Sequence, residues 1–239
     1  MKITVLGTGD AIGTPKVGCS CPRCSYALAN GIQRLRTSFL VDHDDKTILI
    51  DSSPDLRQQL LAHGSPHIDA VIWSHGHYDH FMGFGEFYRV QAMPVVYAAP
   101  RILEYCGGIF RFLGFSRHAV EPFCPFDLFG LTMTLVPVNH PPAETYGLVL
   151  TDDKVKIAFT SDSNANIPAE SLALFKGADL FFVDALIPPS IHINKHMNYR
   201  EACTLSAGLK VKDFRCVHMS HNIPWDLPNI GKDGEIFCF

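Results

Sequence analysis

The stretch Ser74-His75-Gly76-His77-Tyr78-Asp79-His80 places four potential metal ligands within seven residues. It follows the apolar run 70–73, whose sequence Ala-Val-Ile-Trp predicts a buried strand. Imidazole and carboxylate groups together suit a divalent ion such as zinc, manganese or iron. Three histidines and one aspartate so close together are difficult to explain by packing alone. The stretch therefore predicts a metal site at the end of a strand.

The overall composition is that of a globular protein, with 47% hydrophobic and 18% charged residues among 239. A chain of this length can bury one sizeable core, so we expect a single domain over residues 1–239. The net charge of −4 argues against nucleic acid bound through a broad basic face, although a metal site would still attract a small anion. Because no apolar segment at the N-terminus is long enough for a signal peptide or a membrane span, we expect a cytoplasmic protein.

A second group of potential ligands is the cluster Cys19-x-Cys21-x-x-Cys24, which is predicted to lie on a loop. These cysteines are too close in sequence to pair comfortably with one another, and in a reducing compartment such spacing favours a metal. Three thiolates leave one position of a tetrahedral structural zinc site to be filled. No residue nearby in the sequence supplies the fourth ligand. The other cysteines are scattered singly and are predicted to be plain buried residues.

The hydrophobic pattern predicts two runs of strands, each followed by a helix. The first run has strands at residues 1–7, 38–42, 47–51, 70–73 and 94–98, with helices at 53–64 and 81–90. The region 101–126 is aromatic-rich and is predicted to be irregular, with its phenylalanines in the core or in a pocket wall. The second run has strands at 131–138, 145–151, 155–160, 180–184 and 214–217, and a capped helix at 198–209. Two sheets between layers of helices would account for this order.

Three further potential ligands follow predicted strands of the second run: His140, Asp162 and His218. With the first stretch they make seven nitrogen and oxygen donors, too many for one tetrahedral ion. Two ions with three ligands each and a shared carboxylate would leave a place for a bridging hydroxide, as in two-metal hydrolases. Such a site keeps a net positive charge and would attract an anionic phosphodiester.

The motif His75-x-His77-x-Asp79-His80, followed in order by His140, Asp162 and His218, resembles the metallo-β-lactamase superfamily. The resemblance implies an α+β fold, an αββα four-layer sandwich with a two-metal site at the strand ends. It also implies the ligand sets: His75, His77 and His140 for one ion, Asp79, His80 and His218 for the other, and Asp162 as the bridge. The catalytic ions would be manganese or zinc, or else iron.

Within that superfamily the cysteine cluster and the ending His218-Met219-Ser220-His221 resemble the phosphoribosyl 1,2-cyclic phosphate phosphodiesterases of phosphonate metabolism. The resemblance implies that His221 completes a structural zinc site with Cys19, Cys21 and Cys24. It also implies that His196 is the general acid, with His192 as a rival, beside Asp79 in the catalytic centre. The expected substrate is a small anionic cyclic phosphodiester, and relatives are commonly homodimers. Three cations are candidates to bind a second phosphate: Arg34, Arg36 and Lys195.

Other functions are less consistent with the sequence. An RNA-processing nuclease of the tRNase Z type shares the His-x-His-x-Asp-His motif but usually carries a basic arm, which this acidic chain does not show. Thioesterase relatives tend to have a different ligand pattern and no cysteine zinc loop, and a diiron flavoprotein would need an acidic residue at His77. A non-catalytic metal-binding module is the remaining alternative. Metal analysis would distinguish it, because the enzyme would hold two labile ions beside one tightly bound zinc.

Overall fold

The computed structural model describes residues 1–152 and 154–239, and in this part of the chain the strands form two mixed sheets. The seven-stranded sheet has the order β13-β1-β2-β3-β4-β5-β6 in the described residues, with strands β1 (Lys2–Gly7), β2 (Ser38–His43), β3 (Lys46–Ile50), β4 (Ala70–Ile72), β5 (Val95–Ala98), β6 (Arg117–Ala119) and β13 (Ile236–Cys238). The six-stranded sheet has the order β12-β11-β10-β9-β8-β7 over the same described ranges, with strands β7 (Phe126–Leu128), β8 (Leu131–His140), β9 (Ala143–Thr151), β10 (Lys156–Phe159), β11 (Leu180–Asp184) and β12 (Asp213–Val217).

The two sheets pack face to face through a core that both of them supply. In β11, Leu180 and Phe182 belong to the core between the sheets, whereas Phe181 and Val183 belong to a second core on the opposite face. This alternation follows from the two-residue period of a strand, since neighbouring side chains point to opposite faces. Phe39 of β2 lies with its ring centroid 4.7 Å from that of Phe182, which joins the sheets directly.

Helices cover the outer faces of both sheets. Their bounds are α1 (Pro22–Asn30), α2 (Leu56–Ala62), α3 (Tyr78–Phe81), α4 (Pro100–Ile109), α5 (Ala169–Phe175) and α6 (Tyr199–Gly208), with a 3-10 helix at Met82–Phe87. Side chains of α2, α3 and α4 pack with the first sheet, and α5 and α6 pack on the second. The predicted αββα sandwich is therefore confirmed. No helix among the described residues is long and apolar enough to cross a bilayer.

The prediction of a helix over residues 81–90 was wrong in its bounds. An α-helical turn begins at Tyr78 and ends at Phe81, and the chain then tightens into the 3-10 helix. The backbone at Gly83 passes so close to α2 that an added Cβ would lie 1.8 Å from the carbonyl oxygen of Ser53. Only glycine permits this approach, and Gly83 and Gly85 also weaken an α-helix at this position.

The region 101–126 is also more regular than predicted. It contains most of α4 and all of β6, because Ile102, Leu103 and Cys106 form a buried helical stripe that the aromatic-rich composition obscured. Phe110 is buried as predicted, but Phe112 is 75% exposed. The short helices α1 and α5 and the strands β7 and β13 were not predicted, and the cysteine cluster therefore lies partly on a helix.

Parallel neighbours in each sheet place polar residues at one edge. Strands β3, β4 and β5 run parallel, as do β10, β11 and β12. In open mixed sheets, ligands bind outside the carboxyl ends of such strands. Polar residues at or just beyond these ends are Asp51, His75, Asp162, Asp184 and His218. The fold therefore concentrates charged side chains where the edges of the two sheets meet.

Candidate metal centre

The first donor group contains His75, His77, His140 and Asp162. His140 Nε2 lies 3.1 Å from His77 Nδ1 and 3.7 Å from Asp162 Oδ2. His75 Nε2 lies 3.5 Å from the same carboxylate oxygen. Two donor atoms about 2.1 Å from one ion at a tetrahedral angle lie about 3.4 Å apart. The spacing of these atoms therefore fits a single divalent cation.

The second donor group contains Asp79, His80 and His218, and it faces the other oxygen of Asp162. His80 Nε2 lies 3.3 Å from both Asp79 Oδ2 and Asp162 Oδ1. His218 Nε2 lies 3.4 Å and 3.3 Å from the same two atoms. Because Oδ2 of Asp162 faces the first group and Oδ1 faces the second, this carboxylate has the position of a bridge between two cations.

Several of these atoms are buried without a hydrogen-bond partner in the described part of the chain: His75 Nε2, His80 Nε2 and Asp162 Oδ1. Buried polar atoms are rarely left unpaired, since each unpaired atom costs the full loss of its hydration. Cations bound at the two donor groups would satisfy all three atoms. The chemistry and the spacing of the donors therefore fit divalent metal ions.

The distal nitrogens of the histidines are oriented by hydrogen bonds that metal-binding motifs alone do not predict. His80 Nδ1 donates to Asp51 Oδ2 at 2.6 Å, and His75 Nδ1 donates to Ser74 Oγ at 2.9 Å. Ser74 Oγ in turn donates to Asp51 at 2.7 Å. His140 Nδ1 donates to the carbonyl oxygen of Lys195 at 3.0 Å. Each bond places the proton on Nδ1 and directs the Nε2 lone pair into the centre.

The histidines of the first group are held neutral. Burial lowers the pKa of His75 to about 4 and also lowers the pKa values of His77 and His140. Nearby carboxylates oppose this effect but do not overcome it. Neutral imidazole is the form that binds a metal, so these residues need not lose a proton first.

The second group is strongly charged. Burial raises the pKa of Asp79, but His80 and His218 outweigh it and hold that pKa well below its usual range. The same balance, with His218 as the larger partner, lowers the pKa of Asp162. Conversely, burial opposes protonation of His80 and His218, yet the surrounding carboxylates raise both pKa values. The carboxylates are thus ionised and favour positive charge in this group, whether from a protonated imidazole or from a bound cation.

His196 stands beside both donor groups and is paired with a buried carboxylate. Its Nδ1 donates to Asp184 Oδ2 at 2.7 Å, and its ring centroid lies 4.5 Å from that of His140 and 5.1 Å from that of His218. Burial raises the pKa of Asp184, but His196 outweighs it and lowers that pKa. His192, the rival proton donor, is exposed and pairs with Glu201 at 3.0 Å instead.

Asp51 and Asp184 are functional candidates that sequence reasoning missed. Each is a buried carboxylate that accepts a hydrogen bond from a histidine of the centre. The available signal was their position after an apolar run, the same signal that identified Asp162.

The cysteine cluster meets His221, which comes from near the other end of the chain. The Sγ atoms of Cys19, Cys21 and Cys24 lie 3.7, 3.5 and 3.5 Å from His221 Nδ1. A sulfur about 2.3 Å and a nitrogen about 2.1 Å from one tetrahedral zinc would be about 3.6 Å apart. The backbone amide of Cys24 and the ring of His221 lower the pKa of Cys21 to about 6, which favours its thiolate. These residues fit a closed zinc site.

Two of the three cations considered for a second phosphate are engaged elsewhere. Arg34 is 2% exposed and donates to the carbonyl oxygens of Ser220, Ile223 and Pro224, while its guanidinium lies 4.1 Å from the ring of Trp225. Arg34 therefore fixes the segment that follows His218. Arg36 pairs with Asp55 at 2.8 Å. Lys195 is exposed beside His196 and remains a candidate.

Comparisons with known proteins agree with this fold. A family model described as a beta-lactamase superfamily domain matches residues 46–219. An octanoyltransferase of Porphyromonas gingivalis is 29% identical over 238 residues, and the match covers 94% of this chain but 47% of that relative. The chain thus spans about half the length of this curated relative.

Solved structures extend the match over nearly the whole chain. A diphosphatase from the PhnP family is 30% identical with a TM-score of 0.88, covering 99% of this chain and 96% of that one. Zinc-bound PqqB from Methylobacterium extorquens, at 22% identity, shares the fold with a TM-score of 0.86 over 100% of both chains. The chain therefore belongs to the metallo-β-lactamase superfamily, whose fold implies divalent metal binding and hydrolase-like chemistry, and it resembles the PhnP family as its motifs predicted.

Proposed function

We propose that this protein is a metal-dependent phosphodiesterase that opens a five-membered cyclic phosphate on ribose. The observation that carries the proposal is the pair of donor groups on either side of Asp162, with the His196–Asp184 pair beside them. The resemblance of the cysteine and histidine motifs makes phosphoribosyl 1,2-cyclic phosphate the first substrate to test. The PhnP-family relative is a diphosphatase, so cleavage of a phosphorus–oxygen bond is already found in a similar chain.

In this proposal two divalent cations occupy the two donor groups. One cation would be held by His75, His77 and His140. The other would be held by Asp79, His80 and His218, and Asp162 would contribute to both sites. When bound, the cations would neutralise the phosphoryl oxygens and make a coordinated water acidic enough to act at neutral pH. Cys19, Cys21, Cys24 and His221 would hold a separate structural zinc.

His196 supplies the proton that the departing sugar oxygen needs. An imidazole can both give and take a proton near neutral pH, and Asp184 orients the ring by accepting a hydrogen bond from Nδ1. Its Nε2 is then the atom that faces the leaving group. Lys195, adjacent and exposed, would bind a second phosphate on the substrate.

Other activities receive less support. The match to the octanoyltransferase covers less than half of that protein, so it gives no support for the same activity in this chain. A tRNA-processing nuclease would need a cationic surface for a long polyanion, which a net charge of −4 does not favour.

A substrate panel tests the proposal. Protein loaded with manganese or zinc would be assayed with ribose 1,2-cyclic phosphate, a 2′,3′-cyclic nucleotide and a linear diester. We expect hydrolysis of at least one cyclic phosphate, and a fall of about 100-fold or more for His196→Ala, as for loss of a general acid. His192→Ala is the matched control and should stay within about twofold of wild type.

Two results would contradict it. Inactivity toward every phosphodiester with either metal would exclude the reaction class. Full activity of His196→Ala would remove that residue from the mechanism while leaving the class in place.

A further inference from the structure

The first turn of α4 lies at the rim of the metal centre. Strands β4 and β5 are parallel, so α4 begins at the same sheet edge that carries His75. Arg101 in this turn is 84% exposed and lies 3.6 Å from Glu144. Residues on either side of Glu144 pair with the donors, since Ala143 pairs with His140 and Thr145 with His75. Arg101 therefore lies, paired with Glu144, next to the strand residues that adjoin the first donor group.

Tyr105, one turn further along α4, rests against the metal-binding motif itself. An added Cβ on Gly76 would lie 2.7 Å from the Tyr105 ring, so the ring packs directly on the backbone that joins His75 to His77. A second contact places its centroid 6.1 Å from that of Phe81. Nevertheless Tyr105 is 59% exposed. An aromatic face is thus held in a fixed place next to the centre and open to solvent.

Such a face suits a flat ring carried by the substrate. Any nucleobase can stack on an aromatic side chain, and a nearby arginine strengthens the attraction to the base. The apolar surface continues along the same face of α4 through Ile109, one turn after Tyr105 and 40% exposed. A base-free ribose phosphate would leave all of this surface unused.

We propose that Tyr105, with Arg101 beside it, is a stacking subsite that selects a phosphodiester bearing a nucleobase. The inference rests on the proposed function and narrows its substrate class to nucleoside cyclic phosphates. Tyr105 is then a specificity-determining residue, since it contacts the base and not the reacting phosphate.

The test compares adenosine 2′,3′-cyclic phosphate with ribose 1,2-cyclic phosphate in metal-loaded protein. Tyr105→Ala should lower kcat/KM for the adenosine substrate about tenfold, mainly through KM, and leave the base-free substrate within about twofold. Tyr105→Phe keeps the ring and should retain wild-type selectivity. Tyr88→Ala removes a tyrosine of similar exposure, 53%, at the end of the 3-10 helix. It should leave kcat/KM unchanged for both substrates.

A binding measurement separates this inference from the proposed function. Titration calorimetry with adenosine monophosphate and ribose 5-phosphate should show a preference for the nucleotide that Tyr105→Ala abolishes, whether or not either cyclic phosphate is hydrolysed. Equal losses for both substrates in Tyr105→Ala, or no loss for either, would overturn the subsite. Loss of self-association with unchanged selectivity would overturn it as well, and would assign this face to contact between copies.

Discussion

The two donor clusters of this protein differ in how the chain holds them. The histidines and aspartates of the metal centre follow strands of both sheets and are backed by buried partners such as Asp51 and Asp184. The cysteine cluster lies on a loop and on α1, a helix of nine residues in which only Cys24 and Ala27 are buried. The packed core therefore positions the metal centre. The cysteine cluster instead holds α1 in place, because that helix has few buried side chains of its own.

The difference matches the chemistry expected of each cluster. Thiolates with one imidazole form a closed tetrahedral zinc site that contributes to folding. Nitrogen and oxygen donors around a shared carboxylate leave positions open for water and substrate. The clusters are nevertheless close in sequence, because His221 follows His218 by three positions (221 minus 218). Arg34 ties the intervening segment in place through the Ser220 carbonyl.

Replacing the shared carboxylate should have the largest effect on activity. In Asp162→Asn the bridge between the donor groups loses its charge, and we expect kcat/KM to fall about 1000-fold or more. Metal analysis should show loss of the catalytic ions with one zinc per chain retained. Asp127→Asn, at an exposed position of β7, is the control and should keep wild-type kcat/KM and metal content. Joint loss of the zinc would show that the clusters are not independent.

The second largest effect on activity should come from replacing Asp184, and it should concern proton transfer alone. Asp184→Asn leaves a neutral partner at His196 Nδ1, so kcat should fall about 100-fold with an alkyl leaving group and much less with p-nitrophenolate, which needs no proton. Metal content should be unchanged. Glu170→Gln, exposed in α5, is the control. Equal losses for both leaving groups would indicate that Asp184 instead orients His218, from which it lies 3.8 Å.

The smallest effect on activity, and the largest on stability, should come from the cysteine cluster. Cys24→Ser removes a buried ligand, and loss of the zinc should cost about 3 kcal/mol of unfolding free energy, or about 6–12 °C in Tm. We expect kcat/KM to fall less than about tenfold, because the strand ends hold the other cluster. Cys238→Ser, at an exposed position, should change neither quantity. An unchanged Tm with zinc still bound would contradict the structural role.

The sequence predicted most of the fold because the strands are apolar runs with donors at their ends. His140, Asp162 and His218 each follow such a run, and parallel order then requires them to meet. The short helices α1 and α5 were not predicted, since nine and seven residues give too few turns for a clear amphipathic stripe. The helix α2 is equally short, but it is preceded by the helix-start signal Ser53-Pro54-Asp55. The presence of α1 and α5 depends on tertiary contacts.

The polar network around the donors was harder to predict for a different reason. Asp51 adopts a left-handed backbone with φ of 57°, which turns its carboxylate toward both Ser74 and His80. A left-handed residue cannot be recognised from the local sequence, and neither can a contact between Asp51 and His80, which are 29 positions apart. The contacts of Arg34 were unpredictable for the same reason, because its three carbonyl partners lie at least 186 positions away in the sequence. Such contacts exist only once the sheets have packed.

The origin of the donors in both sheets determines when the centre can form. The ligands from His75 to His80 precede the second sheet in the chain, and His218 follows His75 by 143 positions (218 minus 75). During synthesis the early ligands therefore leave the ribosome long before their partners, and a complete set exists only when the second sheet has docked. Metal acquisition is then a late step of maturation, and a bound cation would lock the two sheets together after folding.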